Sequence, residues 1–132
     1  MATLMQFDLV SPEAALASME VLSVQIPGSE GDFTAMPEHA PVITTLRPGI
    51  VKVNSDKGAF EYLVTGGFVE INADATSILA EQAYDKDNVS RDIIDGLIKD
   101  AENLVENVDA DAKDSADKKL ADTKLLIEIL NL

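Results

Sequence analysis

Residues 28–49 read GSEGDFTAMPEHAPVITTLRPG, with glycines at 28, 31 and 49, prolines at 37, 41 and 48, and the chain's only histidine at 39. Glycine opens positive-φ conformations, while each proline fixes φ and removes a backbone donor. Such density predicts tight corners between short strands and a rigid loop, not a flexible linker. A loop held that firmly is suited to being touched by a partner.

The flanks carry period-two patterning. Met5, Phe7 and Leu9 alternate with Gln6 and Asp8, and Leu22, Val24 and Ile26 alternate with Ser23 and Gln25, as half-buried strands do. Ala40 to Leu46, Ile50 to Asn54, Ala59 to Thr65, Phe68 to Asn72 and Thr76 to Glu81 are further β-rich runs. They are separated by Pro48-Gly49, Asp56-Lys57-Gly58, Gly66-Gly67 and Asn72-Ala73-Asp74. Turns at roughly 8 to 12 residues predict a sandwich or barrel over residues 1–84.

Beyond Tyr84 glycine and proline nearly vanish. Ile93, Ile94, Leu97, Ile98, Ala101, Leu104, Val105 and Val108 form a helical stripe, with Ser90 as N-cap and Asp87 or Asn88 as competitors. The acidic stretch Asp109 to Asp114 is expected to hold a turn, after which Ala116, Leu120, Thr123, Ile127 and Leu130 form a second stripe. Residues 85–132 therefore read as a helical hairpin. Burial of one stripe against the other cannot offset the ordering of about 40 residues, so the hairpin needs a further surface. With two candidate surfaces, the sandwich or a partner, it becomes a candidate conformational switch.

The chain of 132 residues contains no cysteine and carries a formal net charge of −14. No disulfide, thiolate nucleophile or Cys-ligated zinc is available, and a reducing compartment is the working expectation. No apolar run approaches the roughly 20 residues of a membrane span, which predicts no direct lipid insertion. The charge disfavours nucleic acid and anionic lipid, leaving proteins or cations as partners.

Catalytic constellations are scarce. Nothing in Pro37-Glu38-His39-Ala40-Pro41 resembles a nucleophile elbow or an HExxH metal site. His39 reads either as a turn histidine satisfied by a neighbouring backbone group or as a partner contact. Glu30 and Asp32 around Gly31 suggest a solvated acidic turn or a protein contact, since the further oxygen ligands of an EF-hand calcium loop are missing. Gly66-Gly67 lacks the GxxxxGK pattern of a phosphate loop and reads as a hairpin turn or close strand packing. Neither a metal nor a cofactor is expected.

Val10-Ser11-Pro12-Glu13, the segment from Gly28 to Gly49 with its run APVITTLRPG, Thr65-Gly66-Gly67-Phe68-Val69-Glu70 and Leu79-Ala80-Glu81 together resemble the epsilon subunits of bacterial F-type ATP synthases. The mitochondrial delta subunit is their counterpart. The resemblance spans the whole chain and implies an α+β fold: an N-terminal antiparallel β-sandwich of about ten strands, then a C-terminal antiparallel two-helix hairpin. It implies a non-catalytic rotor subunit in the central stalk of a proton-translocating ATP synthase. Such a subunit binds gamma, rests on the c-subunit ring, transmits ring rotation to the catalytic head, and lies peripherally on the cytoplasmic side of the bacterial inner membrane.

By residue-level resemblance Glu30, Gly31, Asp32 and His39 would face the c ring, and Ser11 and Thr44 would lie near gamma. Complementary basic groups on the ring would fix orientation and register more than affinity. In many relatives the hairpin extends along gamma toward the alpha and beta subunits and inhibits hydrolysis; in some it binds ATP through Ile/Leu-Asp-x-x-Arg-Ala. Here Ile94 and Asp95 agree, but Ile98 and Lys99 stand in place of the arginine and alanine. Loss of a guanidinium removes the natural phosphate partner, so ATP binding is expected to be weak or absent. Lys113, Lys118, Lys119 and Lys124 are interspersed with Asp114, Asp117, Asp122 and Glu128, which predicts a weak inhibitory role. An ATP-sensing module whose hairpin folds on nucleotide is the alternative.

Overall fold

The structure, a computed structural model, describes residues 3–132. Ten strands lead the chain: β1 Met5–Val10, β2 Ala15–Val21, β3 Ser23–Gly28, β4 Gly31–Ala35, β5 Val42–Leu46, β6 Gly49–Ser55, β7 Gly58–Val64, β8 Gly67–Ile71, β9 Ala75–Ala80 and β10 Ala83–Asp85. Two helices follow, α1 Arg91–Asn107 and α2 Lys113–Ile129.

Alternation decides the faces. In β1 Met5, Phe7 and Leu9 are buried and their neighbours half-buried; in β6 Val51 and Val53 are buried between exposed Lys52 and Asn54. Hydrogen bonds join the strands in the order β10-β7-β6-β3-β5-β8-β9-β1-β2, with β4 hung on β3. The sheet curls so that β2 comes against β6 and β10, and its concave side closes over Phe7, Leu9, Val24, Ile26, Val69, Ile71 and Ile78. The predicted two-layer β architecture followed by two helices is what the chain adopts. One pairing departs from an antiparallel rule: β1 and β9 run parallel, Phe7 opposite Thr76. No hairpin connects them, so tight-turn geometry does not dictate their direction.

Three strands lay outside the expected runs. β2 is rich in alanine with serine and glutamate, poor strand formers; its pairing with β1, from Met5 opposite Val21 to Leu9 opposite Ala17, supplies the order that propensity does not. β4 falls inside the segment read as corners and loop, and β10 is only three residues long. Asp85 pairs with Tyr62, and the strand-rich unit runs to Asp87; the second unit is Asn88–Leu132.

In the second unit Ser90 caps α1, its hydroxyl accepting from the Ile93 amide at 3.4 Å. Ile94, Leu97 and Ala101 are the buried line of α1. A single turn at Ala110–Ala112 reverses the chain within the expected acidic stretch. The buried line of α2 is Ala116, Thr123 and Leu126; Leu120, Ile127 and Leu130 flank it half-buried. The predicted stripe was thus rotated by one residue at its end, where Leu125-Leu126-Ile127 offers apolar side chains on several faces. Asn131, at φ 60°, ends α2, with Leu132 N–H bonded to Ile127 carbonyl and Asn131 N–H to Glu128 carbonyl. That is a Schellman closure.

Candidate contact surface at the turn between strands 3 and 4

β3 and β4 are joined by two residues only, Ser29 and Glu30, between the facing pair Gly28 and Gly31. Both glycines are dictated by geometry. A Cβ on Gly28 would lie 2.7 Å from the Gly31 carbonyl oxygen and 2.9 Å from the Phe33 ring, and Gly31 sits at φ 138°. Neither Ser29 nor Glu30 has a positive φ, so Gly31 absorbs the left-handed torsion of the reversal. Glu30 is thereby held at the exposed tip, and its carboxylate has no hydrogen-bond or ion-pair partner among the described residues.

The tip is braced from β5. Ser29 N–H donates to the Thr45 carbonyl at 3.0 Å, Thr45 Oγ1 to Ser29 Oγ at 2.8 Å, and Arg47 N–H to the Pro27 carbonyl at 3.0 Å. The Arg47 guanidinium donates to the Gly28 carbonyl at 2.5 Å and to the Asp32 carboxylate. One side chain therefore spans both strands of the hairpin.

The loop between β4 and β5 begins with a turn, Met36-Pro37-Glu38-His39, closed by His39 N–H on the Met36 carbonyl at 3.2 Å. Proline at its second position and Glu38 at φ 69° give it type II character, unusual for a glutamate. Glu38 N–H also reaches the Ala73 carbonyl at 2.9 Å, which ties the loop to the β8–β9 connection. His39 Nδ1 lies 2.6 Å from the Ala40 carbonyl, and donates to it in the Nδ1–H tautomer. That contact occupies one ring nitrogen, and among the described residues the other has no hydrogen-bond partner.

A shallow hollow of about 230 Å³ brings predicted residues together: Glu30, Gly31, His39 and Thr44 line it with Gly28, Ser29, Phe33 and Val42. Thr44 is thus grouped with the proposed ring-facing residues rather than with Ser11. Ser11 is buried, its hydroxyl 3.4 Å from both the Ala14 carbonyl and the Glu13 carboxylate, and it closes the β1–β2 turn. Asp32 stands outside the hollow on the Arg47 pair. Sequence reading missed Arg47; its sole signal was a cation at a strand end before Pro48-Gly49.

The two residues of the degenerate nucleotide pattern lie on α1. Ile94 is fully buried, while Asp95 accepts from Arg91 Nε at 2.9 Å, one turn earlier. Ile98 is half-buried on the apolar side. A larger hollow of about 400 Å³ crosses β3, β6 and β7, with Lys52, Glu61, Asp85 and Lys86 of both signs around it; no sequence-predicted residue lines it. Among the described residues no three His, Asp or Glu converge to hold a metal, and no helix is long and apolar enough to cross a membrane.

A family model described as the beta-sandwich domain of the ATP synthase delta/epsilon chain matches residues 4–86. The ATP synthase epsilon chain of Ruegeria sp. (strain TM1040) is 51% identical over 131 residues, covering 96% of this chain and 96% of its own length. That of Rhodospirillum rubrum is 35% identical over 131 residues, covering 98% and 96%. In fold, the chain is similar to one in the cryo-EM structure of Euglena gracilis mitochondrial ATP synthase, with TM-score 0.72 at 18% identity, covering 96% of this chain and 81% of that one. A chain of the Tetrahymena thermophila mitochondrial enzyme gives TM-score 0.66 at 19% identity, covering 96% and 93%. A family model over most of the strand-rich unit and full-length relatives at half identity agree: the chain belongs to the ATP synthase epsilon chains, accessory rather than catalytic subunits of that complex.

Proposed function

We propose that this chain is a rotor subunit of the central stalk of a proton-translocating F-type ATP synthase, coupling c-ring rotation to the catalytic head through gamma. The observation that carries this reading is the braced surface: Glu30, Gly31 and His39 share one hollow on backbone tied to β5 and to the β8–β9 connection. A joint between rotating parts needs an exposed contact that does not yield. The similar folds come from assemblies titled F1/c-ring and central stalk/c-ring, which supports the same placement.

In this reading Glu30, Gly31, Asp32 and His39 face the ring with Thr44 beside them, on the hollow it shares with Glu30, Gly31 and His39, the turn closed by Ser11 lies toward gamma, and the chain is peripheral on the cytoplasmic side of the inner membrane. The hairpin is a weak inhibitor at most and does not sense ATP: Asp95 is engaged by Arg91, and Ile98 packs where a phosphate-binding arginine would stand. The test is reconstitution into an ATP synthase stripped of its epsilon chain, measuring ATP-driven proton pumping. Restored pumping with little loss of hydrolysis is expected. Binding to gamma without restored pumping overturns the coupling role, strong hairpin-dependent inhibition overturns the weak-arm assignment, and tight ATP binding in equilibrium dialysis revives the sensor.

A further inference from the structure

We propose that Glu61 is a carboxylate with two alternative lysine partners: Lys86 holds it while β10 lies on β7, and Lys52 takes it over when that strand lifts. The exchange lets the segment leading into α1 come off β7 without leaving a carboxylate unpaired. It is a conformational device of the strand-rich unit, independent of the rotor reading above.

β10 is a thin attachment. It is three residues long, stands at one end of the strand order, and its ladder is with β7, from Ala83 opposite Val64 to Asp85 opposite Tyr62. A short edge strand with so few bonds opens locally at low cost. Just beyond it Lys86 Nζ donates to Glu61 Oε2 at 2.7 Å and Asp87 N–H to Asp85 Oδ1 at 3.0 Å, before Ser90 caps α1. Lys86 thus pins the end of β10 to β7. Its side chain is 39% exposed and that of Glu61 34%, so the pair is open to exchange and not sealed in the core.

The second partner is built into the ladder. Lys52 of β6 stands directly opposite Glu61 of β7. Residues so placed have Cβ atoms about 4.5 to 5.5 Å apart, within reach of a lysine stem. Yet Lys52 is exposed, and its ammonium has no ion-pair or hydrogen-bond partner among the described residues. While Lys86 occupies the carboxylate, a second ammonium arriving there meets like charge; once Lys86 leaves, it meets a free anion. Room for the movement exists, because Lys52, Glu61, Asp85, Lys86 and Asp87 all line the hollow of about 400 Å³. Asp85 and Asp87 travel with the lifting segment, whereas Glu61 stays beside Lys52.

The experiment measures amide hydrogen exchange of residues 83–87 in the full chain and its variants, at low and at high salt, against exchange in the rest of the sheet. Lys86→Met is expected to speed it about two- to fivefold, since only the closed state loses a bond. Lys52→Met is expected to slow it about two- to fivefold, because the lifted state loses its partner. In a Lys86→Met background Lys52→Met should change exchange little, since Lys52 then holds Glu61 in both states. Lys52→Arg keeps the charge and should stay close to wild type. Salt at about 1 M should erase the differences.

Faster exchange in Lys52→Met overturns the proposal, because Lys52 would then be holding β10 closed through Asp85 or Asp87. Unchanged exchange in either single variant overturns it as well, as does additivity of the two. A change shared by amides throughout the sheet is global and not local, and it too counts against the exchange of partners. The rotor reading stands under each of these outcomes.

Discussion

Gly67 has no room for a side chain. It opens β8 at φ 131°, facing Leu46 on one side and Ala80 on the other, and a Cβ built there would lie 2.1 Å from the Leu79 carbonyl oxygen. That atom belongs to the backbone of β9 and cannot swing aside. Gly67→Ala is expected to cost about 3 kcal/mol or more, combining overpacking with positive-φ strain, as read by urea denaturation. Gly66-Gly67 was legible as close strand packing or a hairpin turn. Which strand approaches, and that Gly67 is the critical one of the two, depends on residues in β9 that local sequence does not contain.

Elements differ in how far their own residues specify them. α1 carries its start signal in the chain: Ser90 accepts from Ile93 N–H and Asp92 sits in the first turn. Ser90→Ala is expected to cost about 1 kcal/mol in chemical denaturation. α2 has no side-chain cap at its start and depends more on its packing with α1. Its critical apolar residue is Leu126 at 0% exposure, whereas Ile129 is 56% exposed. Leu126→Ala should destabilise by about 2 to 5 kcal/mol and Ile129→Ala by well under 1, compared in the same denaturation series. Three consecutive apolar residues, 125–127, leave the helical phase undetermined in sequence; packing chooses the middle one. The β3–β4 hairpin is the converse case, since Gly28 and Gly31 mark the reversal in the sequence, while its brace from Arg47 lies far along the chain.

At the scale of the whole molecule one buried phenol links stability to pH. Burial, and secondarily the negative charge of Asp85 across the β7–β10 pair, raises the pKa of Tyr62 above 10.0. The unfolded chain therefore releases this proton first as pH rises, and the stabilisation present below the unfolded pKa is lost on passing up through the folded one. From about pH 9 to pH 11 the wild type should lose more stability than Tyr62→Phe, measured as Tm against pH. The remaining charge balance, a net −14, governs what the surface repels; it does not select the fold.

Period-two runs in β1 and β3, further β-rich runs, the glycine and proline corners, and the switch to helical spacing after Tyr84 sufficed for a sandwich or barrel followed by a helical hairpin, and the family resemblance chose the sandwich. Each of those runs and corners is a short-range pattern, and burial of one face per element follows from it directly. What only the tertiary structure decided is long-range: the parallel β1–β9 pairing, the strand made from the alanine-rich stretch 15–21, the hollow that joins Glu30 and His39 to Thr44, and the Arg47–Asp32 pair. These rest on partners in other strands and loops, 15 residues apart for Arg47 and Asp32 and far more for Phe7 and Thr76, and no local periodicity encodes which strand will be the neighbour.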